Sequence, residues 1–517
     1  MATQSSVRIP KRILNTLLSS LAAGVVPRVG APYIAIGRID EIGSLLDNLD
    51  AAKDGAAFCR FLIGRYGSGK SFLIQLIRGY ALERGFVCLD ADLSPERRLT
   101  GGNGAGLATY RELMRNLAIK AAPDGGALPT VLSRHFTALR TELVEEGIAP
   151  ESREFVTALN KKVFRFLSEL EGDVGGFDFA RVLSEYYLAS LEDNNDKKSA
   201  CLRWLRGEFS TKTEAKTALG FPVSCIIDDD NWYGFIKLLS ALSVRLGYSG
   251  LIVFIDECVN LYKIPNRISR EANYEKLLAI FNDTLQGKAT SLGVIFGGTP
   301  QFLEDTRRGL FSYDALRSRL SDTRYTELGY RSLSEPVIRL RRLSDNELLA
   351  LVKRLTNLYA EREGKPALIT DAEAERFIID RLSRAGADEM MTPREIIRDF
   401  LTLLNIMRDN PSVSFDELMR KTAAQGSGGA ETPLVNGGYN EAYSASQAQP
   451  DSTQNASSDE RYRTAHLAQS SDVGSGSHHR PTPRDVAPQS IAPTTHTEQA
   501  NVQNQPKKKI GLFDIDI

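Results

Sequence analysis

The sequence has few residues for a covalent or metal-held scaffold. Its 517 residues include five cysteines, Cys59, Cys88, Cys201, Cys225 and Cys258, with no Cys-x-x-Cys or Cys/His ligand spacing. That pattern points away from a disulfide framework or zinc module and predicts reduced thiols in a cytoplasmic protein. Four of the five histidines lie beyond residue 424. The pair His478–His479 sits there in a polar setting that argues against a metal site. The formal net charge is −1, so no whole-chain basic field draws the molecule to nucleic acid. No apolar run approaches the roughly 18 residues a membrane span needs, so no membrane partner is expected. The first thirty residues are too interrupted by polar side chains to read as a secretory leader.

What remains is a chain of 42% apolar residues, long enough for two to four domains. From about residue 424 the composition turns to Ser, Gln, Asn, Gly, Pro and Thr. Such a segment cannot bury enough apolar surface to offset its ordering entropy, which predicts a disordered linker over 424–506. The chain then ends in KKKIGLFDIDI, whose Ile510, Leu512, Phe513, Ile515 and Ile517 suit a docking peptide (507–517) that adds a strand to a sheet edge. Ahead of the linker, an N-terminal helical segment (1–30), a nucleotide-binding domain (31–335) and a helical lid (336–423) are expected.

Short buried strands punctuate this folded part. AAFCRFLI, FVCLDADL, GLIVFIDE, LGVIFGGTP and the start of EPVIRL are apolar runs of strand length, and helical spacing separates them. The alternation predicts an α/β fold with a parallel sheet. Residues 108–222 show helical runs and no convincing strand, so they read as a large helical insertion. YIAIGRIDEIGSLLDNLD reads as a short strand or turn entering a helix. Ser344 and Glu347 stand at capping-box spacing before another.

GRYGSGKS, residues 64–71, carries the clearest chemistry. Gly64, Gly67, Gly69, Lys70 and Ser71 fit G-x-x-x-x-G-K-[ST] between a buried strand and an amphipathic helix. Glycines permit a turn whose backbone N–H groups face inward onto phosphate, and the helix that follows adds its positive end. Arg65, Tyr66 and Ser68 complete the loop and Phe72 opens the helix, so all are expected against the nucleotide. Lys70 reaches the β- and γ-phosphates and Ser71 holds Mg²⁺. Asp256, closing the run LIVFI, is the second metal carboxylate, and Glu257 polarises the attacking water. Without an N-K-x-D element the expected cofactors are ATP and Mg²⁺.

Four further residues are candidates with bland alternatives. Thr299, at the end of GVIFGGT, either reads the γ-phosphate or closes a turn before Pro300. Arg317 and Arg319 either complete a neighbouring subunit's site or form surface ion pairs. Arg394, just after Pro393 at a helix start, reaches the phosphates from the lid or serves only the surface. ADLSPERRLTGGNGAG, with Asp90 and Asp92 at a strand end, is either a substrate-contacting loop or an exposed connection.

In this order the pieces resemble the AAA+ ATPases, in particular their initiator-like, origin-recognition-related branch. The resemblance implies Walker A at Gly64–Ser71, Walker B at Asp256–Glu257, sensor 1 at Thr299, an arginine finger at Arg317 or Arg319, and sensor 2 at Arg394. It also implies that Gly37 and Arg38 of AIGRIDE skirt the adenine, with Ile36 packing on the base. GVVPRVG, the stretch from FLIGRYGSGKS to SPERRL, GLATYRELMRNL and TPREIIRDFL resemble the BREX-type phage-defence ATP-binding proteins over about residues 8–420. Relatives of these also accompany tellurite-resistance-type modules. Two features depart from the general AAA+ pattern: the long helical insertion, and the lack of a winged-helix pattern after the lid, which counts against origin-type DNA binding.

The expected function is an ATP-hydrolysing subunit of a bacterial defence or stress system, active as a homo-oligomer. Its other partners would be proteins of the same system, met through the helical insertion or the C-terminal peptide. A nucleotide-gated scaffold and a DNA-loading ATPase are the alternatives.

Overall fold

The computed structural model describes residues 9–150, 152–168, 175–324, 332–383 and 392–426. The expected linker beyond residue 426 and the expected docking peptide lie outside the described residues.

The five apolar runs form β1 (Phe58–Ile63), β2 (Val87–Asp92), β3 (Leu251–Asp256), β4 (Leu292–Gly298) and β5 (Val337–Arg339). They pair in parallel in the order β2-β3-β4-β1-β5. Parallel neighbours need crossovers, and the crossovers cover both faces, which is why the strands read as unbroken apolar runs. Alternate residues serve opposite cores. Cys59, Phe61 and Ile63 of β1 join Leu251, Val253 and Ile255 of β3 in one core. Phe58 and Leu62 join Ile252 and Phe254 in the other. One charge interrupts β1: Arg60 is buried, and its guanidinium donates to Asn48 Oδ1 (2.6 Å) and to the carbonyls of Ser334 (2.9 Å) and Glu335. It ties β1 to the segment entering β5.

The second core lies under α2 (Ile39–Lys53) and α3 (Lys70–Glu83). The strand or turn expected before α2 is a 3₁₀ turn, Ala31–Ile34. The first core is filled from the long connection between β2 and β3. That connection carries α4 (Ala105–Arg115), α5 (Leu128–Glu145), α6 (Arg153–Ser168), α7 (Gly176–Leu191), α8 (Asn195–Leu205), α9 (Lys212–Leu219) and α10 (Trp232–Arg245). Isolated bridges such as Cys88 to Ala118 are its β-type pairing among the described residues. After β3 come α11 (Val259–Tyr262) and α12 (Arg267–Leu285); after β4, α13 (Pro300–Glu304) and α14 (Asp314–Leu320). The five cysteines are free thiols, and no described helix is long and apolar enough to cross a membrane.

A third core is built without the sheet. It unites α15 (Asp345–Glu363), α16 (Asp371–Leu382), α17 (Pro393–Asp409) and α18 (Phe415–Gly426). Each of the first three opens with a capping box: Ser344/Glu347, Thr370/Glu373 and Thr392/Glu395. The N-terminal helix α1 (Lys11–Ala22) belongs to the same core. Its Leu14, Leu17, Leu18 and Leu21 are buried with Leu351, Leu355, Phe400 and Leu404 of α15 and α17. Its spacing predicts a helix; the partner, over three hundred residues away, has no local signal.

Leu17 has no exposed surface and sits inside this third core. Leu17→Ala is expected to cost about 2–5 kcal/mol of local stability. Hydrogen exchange should accelerate in α15 and α17 while the amides of β1 and β3 keep their protection.

Candidate functional site

β1 and α3 are joined by the turn Gly64–Gly69, which forms as its composition predicts. Gly67 and Gly69 have φ of 76° and 94°, values that glycine adopts without a Cβ penalty. The loop is braced from within and below. Lys70 Nζ donates to the carbonyls of Gly64 (2.9 Å) and Arg65 (3.0 Å). Arg38 Nη2 donates to the carbonyl of Ser68 at 3.0 Å, while Nη1 pairs with Glu41 at 3.3 Å. Arg38 is buried, and that burial lowers its pKa against the opposing pull of Glu41. Arg38 therefore supports the loop from behind while also lining the cleft in front of it. Gly37 (φ 74°) packs so tightly that an added Cβ would lie 2.7 Å from Glu347 and Leu343.

The acidic side comes from the sheet's C-terminal edge. Ser71 Oγ donates to Asp256 Oδ2 at 2.6 Å. The Glu257 backbone N–H donates to Asp256 Oδ1 at 2.8 Å, and Glu257 itself holds φ 57°, unusual for a residue with a side chain. The Glu257 side chain is exposed to the cleft. Asp92 stands opposite Asp256 in the β2–β3 register. Its pKa is raised to about 6, by desolvation first and then by the charges of Asp256 and Glu257. Asp90 is engaged elsewhere, accepting from Arg78 of α3 at 2.7 Å.

The third core supplies the opposite wall. Arg394, at the start of α17, donates from Nη1 to the Tyr66 hydroxyl at 3.0 Å, with its guanidinium carbon 5.2 Å from the ring centre. Next to Tyr66, a Cβ on Gly67 would meet Thr392 at 2.7 Å. Phe72 is half-buried between the second and third cores. Together these elements enclose a cleft of about 950 Å³, mouth included. Lys70, Ser71, Glu257 and Arg394 line its polar end, whereas Val26, Pro27, Ile34, Ile36, Leu351 and Ile397 line an apolar end. Lys70 is pushed to a lower pKa by burial; Asp256 and Glu257 oppose this and Arg394 adds to it.

The donors suit a hard cation such as Mg²⁺. Ser71 and Asp256 offer two adjacent oxygens, and Glu257 and Asp92 lie beside them. Among the described residues no cluster of three His, Cys, Asp or Glu forms an all-protein cage. Mg²⁺ characteristically takes one or two protein oxygens and completes its shell with water and phosphate.

Thr299, Arg317 and Arg319 stand away from this cleft, and Gly37, Gly64, Arg65 and Asp256 adjoin its lining residues without lining it themselves. Thr299 caps α13, its hydroxyl accepting from the Phe302 N–H at 3.3 Å. Arg317 pairs with Asp314 at 3.3 Å and Arg319 donates to the Ala315 carbonyl at 2.7 Å, both on the exposed face of α14. The loop after β2 is pinned: Asp229 accepts from Thr100 Oγ1 (2.8 Å) and Gly101 N (2.7 Å), and Asn273 accepts from Leu99 N (2.9 Å).

Sequence reasoning missed Gly297 of β4. A Cβ there would lie 2.2 Å from Asp256 Oδ1, so the glycine is what leaves room for the carboxylate. Its signal was the doublet in GVIFGGTP. Val26 and Pro27 were missed as cleft residues because they act only through the folding-back of the segment after α1.

The family profile described as BREX system ATP-binding protein BrxC/D matches residues 9–423. The chain belongs to that family. No curated protein sequence matches the chain at a significant level.

Gly297→Ala is expected to displace the Asp256 carboxylate and weaken Mg²⁺-dependent nucleotide binding about 10–100-fold. Titrating Mg²⁺ against a fluorescent ATP analogue checks this. Gly79→Ala, where nothing lies within 4 Å of the added methyl, should leave the titration unchanged.

Proposed function

We propose that this member of the BREX ATP-binding family is an AAA+ ATPase that hydrolyses Mg²⁺-ATP as a subunit of a BREX phage-defence system. The observation that carries the reading is the 2.6 Å contact of Ser71 with Asp256 beneath the Lys70 loop, with Glu257 next in sequence. The parallel sheet and separate helical lid support it. The Gly64–Gly69 backbone and Lys70 would bind the phosphates at the positive end of α3. Ser71 and Asp256 would hold Mg²⁺, which would supply positive charge to offset that of the phosphates. Glu257 would orient the attacking water, and Arg394 would close on the phosphates from α17. The apolar end of the cleft suits a base, packed on Ile36.

Arg317 and Arg319 do not line their own subunit's cleft and are exposed on α14, as a role in trans in an active homo-oligomer would require. Other proteins of the same defence system are the expected partners. Glu257→Gln should bind ATP with near wild-type affinity while turnover falls by at least about 100-fold. The wild-type rate per subunit should climb with protein concentration, and Arg317→Ala or Arg319→Ala should flatten that climb. ATP bound tightly with a flat rate near zero would instead indicate a nucleotide-gated scaffold.

A further inference from the structure

Tyr66 is an odd residue for its place. A phosphate loop needs backbone N–H groups and a lysine; a large side chain between Arg65 and Gly67 adds nothing to either. Yet Tyr66 is a tyrosine with 71% of its surface exposed, at the mouth of the cleft. Its hydroxyl and ring both engage one group, the guanidinium of Arg394. Arg394 has no carboxylate partner among the described residues, although the start of α17 carries Glu395 one position away. Glu395 is committed to the capping box with Thr392. The contact is doubled by the neighbouring pair, because Gly67 packs directly on Thr392. Two consecutive loop residues therefore touch the first turn of one lid helix.

A flexible arginine loses conformational freedom when it grips a phosphate. A side chain already held by an aromatic face and a hydroxyl has lost much of that freedom beforehand. Arg394 and Lys70 line the same cleft, so the held arginine faces the space where the loop would receive an anion.

We infer that Tyr66 is a positioning residue: it holds Arg394 over the glycine loop before nucleotide arrives and so couples the lid to the phosphate site. The inference rests on the nucleotide reading above, but its first consequence needs no nucleotide. Removing the ring should loosen the start of α17 in the nucleotide-free protein.

The test is a double-mutant cycle on the full chain with two readouts. Hydrogen exchange of amides 395–397, the first hydrogen-bonded N–H groups of α17, should in the nucleotide-free protein be faster in Tyr66→Ala than in wild type. ATP binding should be about 2- to 10-fold weaker in Tyr66→Ala. That loss should disappear when Arg394→Ala is the background, and Tyr66→Phe, which keeps the ring, should recover part of it. A Tyr66→Ala loss of the same size with and without Arg394 would overturn the inference, since Tyr66 would then be acting on the nucleotide or the loop directly. Unchanged exchange at 395–397 would overturn it as well. Should wild type bind no ATP while the exchange difference appears, the nucleotide reading fails and the Tyr66–Arg394 contact stands.

Discussion

The hydrogen bond from Ser71 to Asp256 joins the helix after β1 to the end of β3, and the strand between them is shaped to allow it. Ser71 opens the helix after β1, while Asp256 closes β3, and β4 lies between those strands. Side chains at the C-terminal end of β4 would block the path. Gly297 removes the obstruction, and its carbonyl accepts from the Cys258 N–H at 3.0 Å, which turns the chain after Asp256. The left-handed Glu257 follows from that turn. A residue forced to φ 57° costs about 1–2 kcal/mol relative to an ordinary conformation, and here it directs the glutamate side chain into the cleft.

The second constraint is that the cleft belongs to two hydrophobic cores. Its loop and acids are fixed by the sheet, while Arg394, Leu351 and Ile397 are fixed by the third core. Because α1 is built into that third core, the segment following it also forms part of the wall. Phe72 and the contact of Gly67 with Thr392 join the sheet to the third core at the polar end of the cleft. A ligand that touches both walls is bound only when the two cores approach, so its binding energy and lid position are linked.

Much of this was legible because it depends on local chemistry. All five strands followed from apolar runs, since a parallel sheet covered on both faces leaves no polar alternation to confuse them. The loop followed from glycine spacing, and the Asp256–Glu257 pair from its place at a strand end. Ser344/Glu347 followed from cap spacing. What sequence could not show depends on distant neighbours. Arg38 reads as a cleft residue, but its guanidinium finds the Ser68 carbonyl behind the loop as well. Thr299 has a hydroxyl that caps α13, a use fully consistent with the turn before Pro300. The attachment of α1 to α15 and α17 has no trace in α1 beyond an apolar stripe, and such a stripe does not name its partner.

Charge explains why these pieces sit together in a molecule whose net charge is −1. Asp92, Asp256 and Glu257 gather at one strand edge, where desolvation first and the neighbouring carboxylates second raise the pKa of Asp92. Lys70 and Arg394 line the same cleft, where burial lowers the pKa of Lys70 and Arg394 adds a smaller push in the same direction. Like charges held together in a partly desolvated space are unfavourable unless a counter-charge arrives. A cation beside the carboxylates would relieve one side, and an anion between the basic groups the other. A metal–polyphosphate pair would supply both at once, whereas a free anion or a bare cation would relieve only one side. The charge pattern of the cleft thus agrees with the proposed Mg²⁺-ATP reading on grounds other than the loop motif.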